Sequence, residues 1–214
     1  MPRLKENKPM RYPMPAATID APHIASVEIQ KSRFIGWCAS IKCAADAEQL
    51  IAQARARYPD ASHYCSAYIA GPPGEDQAIG FSDDGEPGGT AGRPMYQVLE
   101  GSGLGRIACV VTRYFGGTKL GTGGLARAYS QTVSELLDQL LTQQHVPRRH
   151  LSLSLTFADE QPARAWLAQH EGTIVAADYH AEGVTLAVDW PLDADTDLAV
   201  LDARLSGRLA VDAD

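Results

Sequence analysis

Residues 106–114 read RIACVVTRY, and a stretch apolar on both faces belongs in the middle of a sheet. The chain leaves it through Phe115-Gly116-Gly117-Thr118-Lys119-Leu120-Gly121-Thr122-Gly123-Gly124 and runs directly into a helical pattern. There Leu125, Tyr129, Val133, Leu136, Leu137 and Leu140 recur at the 3.6-residue period of one buried face, which predicts a helix to about residue 141. A buried strand, a glycine-rich turn and a long amphipathic helix in that order need a helix packed on a sheet. The chain is therefore read as α+β.

A second glycine-rich segment, residues 80–94 (GFSDDGEPGGTAGRP), leads into a short helix at about 94–100, with Pro94 at its opening and Gly101 at its close. Upstream, alternating patterns predict strands at about 25–30, 33–41 and 63–70. Between the last two, Ala47, Leu50, Ile51 and Ala54 mark a helix over 44–58 that Pro59 stops. Residues 1–22 carry Pro2, Pro9, Pro13, Pro15 and Pro22 without periodicity and read as an extended leader.

Residues 143–150 are polar, contain Pro147 and break the pattern, which places a domain boundary there. The expected domains are 23–145 and 150–214. Beyond the boundary the patterns run strand 151–157, helix 162–170, strand 173–180, strand 184–190, helix 195–206 and strand 208–212, a βαββαβ order of the ferredoxin-like kind.

Charge separates the two parts. Residues 151–214 hold 3 Lys and Arg against 12 Asp and Glu, a net of −9, while residues 1–150 hold 16 against 14, a net of +2. A phosphate-bearing partner is thus expected on the N-terminal part. An isoelectric point near 5.3 argues against bulk coating of nucleic acid, though not against local recognition. No apolar run approaches the length of a membrane span, and the first residues lack an apolar signal region, so the cytoplasm is the expected location and no membrane partner is expected. Cys38, Cys43, Cys65 and Cys109 stand singly, so no structural metal is expected, and no cofactor is expected.

Both glycine-rich segments run into helix amino ends, where the first N–H groups lack intrahelical acceptors and carry the positive end of the macrodipole. Gly116, Gly117, Gly121, Gly123 and Gly124, with Thr122, would let successive N–H groups cradle an anion, with Arg113, Lys119 and Arg127 beside them. Tight turns and close packing explain the same glycines. Lys31, Arg33, Arg93 and His63 extend the candidate anion or nucleic-acid site, and Tyr114 and Phe115 offer the one place where bases can stack. Asp83, Asp84, Glu86 and Thr90 form a polar cluster, read as turn chemistry or as a magnesium-type oxygen set. Named phosphate motifs fit badly, since no Gly-Lys-Ser or Gly-Lys-Thr occurs, and no nucleophile elbow or Ser-His-Asp order is present. No catalytic residue is expected.

These segments resemble the YigZ/IMPACT family. The likeness rests on Phe81-Ser82-Asp83-Asp84-Gly85-Glu86-Pro87 with Gly89-Thr90-Ala91-Gly92 and Pro94. It rests also on Arg113-Tyr114, Gly116-Gly117, Leu120-Gly121 and Gly123-Gly124-Leu125, with Lys31 to Ile35 and His63 in support, and it spans roughly residues 18–142. The resemblance implies an N-terminal α/β sandwich of the ribosomal-protein type, shared with elongation factor G domain IV and the GHMP-class small-molecule kinases. It implies a C-terminal domain like the last domain of elongation factor G. Eukaryotic members regulate translation under amino-acid starvation by competing for the activator of an initiation-factor kinase. The implied function is non-enzymatic binding to RNA, the ribosome or a translation factor; the alternative is an enzyme or binder of a phosphorylated small molecule.

Overall fold

The computed structural model describes residues 11–74 and 78–213. The chain is α+β and divides into two compact units, residues 12–145 and residues 146 onward, Arg11 grouping with the latter. The part of the expected leader at residues 1–10 lies outside the described residues.

In the first unit, β1 (Tyr12–Pro15), β2 (His23–Ile29), β3 (Ser32–Ser40), α1 (Ala44–Arg57), β4 (His63–Ile69), β5 (Ile79–Ser82), α2 (Gly92–Ser102), β6 (Ile107–Tyr114), α3 (Gly121–Asp138) and β7 (Thr142–His145) follow in order. Five strands form one sheet in the order β2-β3-β6-β4-β5, every neighbouring pair antiparallel. The doubly apolar β6 sits at its centre for the reason its composition dictates: both faces are covered. Phe34, Cys65, Cys109 and Val111 face α2 and α3 with Met95, Leu99, Leu125, Tyr129 and Leu136. Ile35, Trp37, Ala108 and Val110 face α1 with Ala47, Leu50 and Ala54. The cysteines are free thiols, three of them buried in this unit's core and Cys43 exposed.

Four elements of this unit depart from the sequence reading. The expected leader holds β1, which pairs antiparallel with β7, where a polar break was expected. Neither tetrapeptide has a periodic signal of its own; each is a strand because the other supplies its hydrogen-bond partner. The edge strand β5 pairs with β4, although its glycine-containing sequence reads as loop. The second helix starts at Gly92, two residues before Pro94, because Asp83, nine positions upstream, caps it.

The second unit runs β8 (Arg148–Leu155), α4 (Phe157–Gln169), β9 (Thr173–His180), β10 (Gly183–Pro191), α5 (Leu198–Arg204) and β11 (Ala210–Ala213). Its sheet is antiparallel in the order β11-β8-β10-β9. Leu151, Leu153, Val184, Leu186 and Val188 pack with Trp166, Leu167 and Leu201, and Trp166 stacks on Trp190 with ring centroids 5.4 Å apart. The helix expected from Pro162 begins instead at Phe157; the hydroxyl of Thr156, at the N-cap position, caps no backbone N–H and donates to Asp159 Oδ2 at 2.8 Å. Pro162 therefore lies inside α4 and gives up one backbone hydrogen bond. Among the described residues no helix is long and apolar enough to cross a membrane.

Candidate functional site

Along β4 and β6, side chains alternate between faces, so His63 and Cys65, with Arg113 directly opposite His63, point to the side covered by α2 and α3. There they meet the loop between β5 and α2. Glu86, with its side chain only 3% exposed, accepts from Arg113 Nη1 at 2.6 Å and from the Tyr129 hydroxyl at 2.8 Å. Arg113 is equally enclosed at 6%, and its Nη2 reaches Ser32 Oγ at 3.4 Å. The same Ser32 oxygen accepts the Gly116 N–H at 3.2 Å, tying the loop after β6 to the start of β3. A buried ion pair with these extra partners is specific in geometry, and removing either half strands the other.

His63 Nδ1 lies 2.8 Å from the Asp84 carbonyl oxygen. A carbonyl only accepts, so Nδ1 carries the proton in the neutral ring and Nε2 faces Glu86 Oε2 at 3.9 Å. Cys65 donates to the Asp83 carbonyl at 3.0 Å. Burial pushes its thiol up to about 12, so it is no thiolate nucleophile near neutral pH. Burial likewise raises the Tyr129 hydroxyl, keeping it a donor to Glu86.

The acidic cluster turns inward. Asp83 Oδ1 accepts the N–H groups of Ala91 and Gly92 at 2.9 and 2.8 Å, and Oδ2 that of Gly89 at 2.7 Å. It is thus the cap of α2, delivered from outside the helix. Gly92 is required by this approach, since a Cβ there would lie 2.7–2.8 Å from the Ser82 backbone. Asp84 Oδ2 accepts the Tyr64 N–H at 2.6 Å, and its other oxygen pairs with Arg55. The Thr90 hydroxyl donates to the Pro87 carbonyl at 2.6 Å. Of the two readings of this cluster, turn chemistry is what these bonds display. Among the described residues no group of three or more His, Cys, Asp or Glu side chains could hold a metal ion.

Burial alone would push the Asp83 carboxyl up, but the Gly89, Gly92 and Ala91 N–H groups outweigh it and hold the carboxyl below its ordinary value. A depressed carboxylate contributes stability above its unfolded pKa of about 3.9 and loses it as pH falls through the lower folded value. Asp83→Ala is therefore expected to destabilise the first unit by about 1–2 kcal/mol at pH 7. In urea melts the gap to the wild type should narrow below pH 4; a gap that does not change with pH would mean that the charge of the cap is irrelevant.

The basic residues divide. Arg113 is a correction: read as an exposed cation beside the loop, it is buried and neutralised by Glu86. Arg33 and Tyr114, register partners across β3 and β6, fall on the opposite face, where Tyr114 packs toward α1; they do not join His63. Arg93 is exposed on α2. Lys31 is exposed in the tight hairpin between β2 and β3, where Gln30 and Lys31 both take positive φ (45° and 67°). That hairpin abuts the glycine loop: a Cβ on Gly116 would sit 2.0 Å from the Lys31 carbonyl carbon and oxygen.

Gly117, Thr118, Lys119, Gly121, Thr122, Gly123 and Arg127 are exposed, and Gly124 is half-buried. Among the described residues no side chain caps α3, and its first turn carries no acid. Arg127 folds back over that turn, its Nη1 3.5 Å from where a Gly123 Cβ would lie. No Asp or Glu occurs between Glu100 and Glu135. The amino end of α3 is thus electropositive, open to solvent and flanked by Lys119 and Arg127.

Cys65 and Tyr129 have no site role in the sequence reading, whereas Ser32 belongs there to a rim with Lys31 and Arg33. Tyr129 sits within the apolar stripe of α3, and the one available signal was its hydroxyl, a polar atom on an otherwise buried face that demands a partner.

Residues 30–137 match the model of the Impact N-terminal domain. The chain is 45% identical over 161 residues to IMPACT family member YigZ of Escherichia coli (strain K12), covering 75% of this chain and 79% of the relative. It is 39% identical over 154 residues to an IMPACT family member of Haemophilus influenzae, covering 72% and 75%. A crystal structure described as that of a hypothetical protein matches with a TM-score of 0.69 and 41% identity, over 95% of this chain and 97% of the other. The matched segment contains both glycine-rich loops and the whole Ser32–His63–Glu86–Arg113–Tyr129 network, and the chain belongs to the IMPACT family.

Proposed function

We propose that this chain is a non-enzymatic binding protein that holds an anionic partner, RNA alone or on the ribosome, or a translation factor, at residues 116–125 and thereby regulates translation in the cytoplasm. The observation that carries this reading is the uncapped amino end of α3, solvent-exposed and acid-free, with Lys119 and Arg127 beside it. The translational context comes from the family. It agrees with a reading of residues 23–145, a five-stranded sheet with helices on both faces, as the ribosomal-protein-type sandwich of elongation factor G domain IV. It agrees also with a reading of residues 150–214 as a ferredoxin-like domain, whose βαββαβ order and β11-β8-β10-β9 sheet support it.

Because Arg113 is buried, its removal tests folding rather than binding. The informative variant is Lys119→Ala with Arg127→Ala. It is expected to weaken binding of single-stranded RNA and to flatten the dependence of log affinity on log salt by about 0.7 for each phosphate that is no longer neutralised. Affinity and salt slope equal to those of the wild type, measured by fluorescence anisotropy, would remove residues 116–125 from the site.

A second reading, a site for a phosphorylated small molecule, is favoured by His63, whose Nε2 faces the buried Glu86 carboxylate of the loop between β5 and α2. Magnesium held by Asp83, Asp84 and Glu86 is no part of it, since backbone N–H groups, Arg55, Arg113 and Tyr129 engage those carboxylates. A rise in melting temperature with millimolar nucleotide or phosphosugar supports this reading; no shift with any of them counts against it.

A further inference from the structure

Phe115 is 50% exposed and, among the described residues, is the large apolar side chain at the mouth of the glycine loop. It is not loosely placed. The Arg113 guanidinium carbon lies 5.5 Å from the Phe115 ring centroid and 5.5 Å from that of Phe34, within the range of a cation–π contact on both sides. Phe34 is fully buried and meets the Tyr129 ring edge-on, with centroids 5.2 Å apart at 85°. Glu86 then pins both Arg113 and Tyr129 through the same oxygen. Phe115 is therefore the solvent end of a column, Tyr129–Phe34–Arg113–Phe115, whose lower members are fixed by a buried ion pair.

We propose that Phe115 is a stacking platform for a nucleobase of a single-stranded nucleic acid, whose adjacent phosphate lies at the amino end of α3. This rests on the anion site proposed above and names the ligand more closely. Charge complementarity selects the occupant. An apolar protein side chain would be satisfied by Phe115 alone, but the hairpin that carries Lys31 abuts the next residue, Gly116, and the chain runs on through Lys119 to an α3 amino end over which Arg127 folds, all three cations exposed. An aromatic ring and an anion one nucleotide apart answer both features. The platform is tolerant of sequence because every base has a π face. The buried Glu86–Arg113 pair acquires a reason on this account: it sets the ring's orientation before the ligand arrives.

The test uses the full chain with a fluorescein-labelled single-stranded oligoribonucleotide and an abasic oligonucleotide of the same length. The wild type is expected to bind the base-bearing strand about 10-fold more tightly than the abasic one. Phe115→Ala should erase that preference and leave abasic binding and the salt slope unchanged, and Phe115→Trp should retain it and show fluorescence quenching on binding. Should Phe115→Ala fail to fold, the Trp variant decides alone, and absence of quenching beyond that of the wild type overturns the platform. Equal wild-type affinity for both strands also overturns it while leaving the anion site standing. A Phe115→Ala variant that keeps its preference does the same. Binding of neither strand by the wild type overturns the platform together with the RNA reading of the anion site, and a protein ligand that alone competes for Phe115 overturns the platform only.

Discussion

Glu86→Ala is expected to destabilise the first unit by about 3–5 kcal/mol, the range for breaking one side of a buried ion pair. The variant leaves the Arg113 guanidinium enclosed with no carboxylate, and it strips the Tyr129 hydroxyl of its acceptor. For a unit of this size the loss corresponds to a fall of roughly 10 °C or more in melting temperature. Chemical denaturation measures it directly, and two companions apportion it. Glu86→Gln keeps an acceptor for both donors but not the charge, and should fall between wild type and alanine. Glu86→Leu with Arg113→Met removes both charges and should recover much of the loss, because an apolar pair of similar volume carries no desolvation penalty. A Glu86→Ala variant within about 1 kcal/mol of the wild type would mean that water reaches the pair freely.

Gly116→Ala is the second large effect. The added methyl would overlap the Lys31 carbonyl at 2.0 Å, and the obstacle is backbone, which cannot rotate away as a side chain can. Either the hairpin between β2 and β3 shifts or the loop lifts, and lifting breaks the Gly116 N–H bond to Ser32. The expected cost is roughly 1–3 kcal/mol. Because the loop carries Phe115 and leads to α3, the same variant should lose RNA affinity as well. Full stability with full affinity would show that the two segments are not held together. Gly123→Ala is the matched control: the nearest atom to its Cβ is Arg127 Nη1 at 3.5 Å, an ordinary approach by the end of a flexible side chain, so stability should change little.

Much of the first unit was legible because its elements carry their own signals. The run IACVVTRY places β6 at the sheet centre by composition alone, and the stripe from Leu125 to Leu136 names the buried face of α3. The βαββαβ succession after residue 147 was likewise readable from periodicity, and the corresponding elements are present. The short strands β1, β5 and β7 were not, because four residues hold too little pattern to outweigh prolines and glycines, and pairing is a property of two segments. The start of α2 was misplaced because the residue that caps it, Asp83, precedes the helix by nine positions and reaches it only in the fold.

By itself the sequence determined which residues are chemically able to act: the glycines around 116–124 that permit close approach, the cations among them, the carboxylates of the 83–86 turn, and a charge balance that leaves the C-terminal part repelling anions. The tertiary structure alone decided which of those groups remain available. Glu86 and Arg113 are 27 positions apart in the chain and look alike from outside, an exposed acid and an exposed base; the fold buries both and cancels them against each other. Lys119 and Arg127 stay in solvent, and Phe115 is left facing it. The physical reason is that solvation is a property of the assembled surface. Whether a charge meets water or a partner depends on long-range packing, which local pattern does not encode.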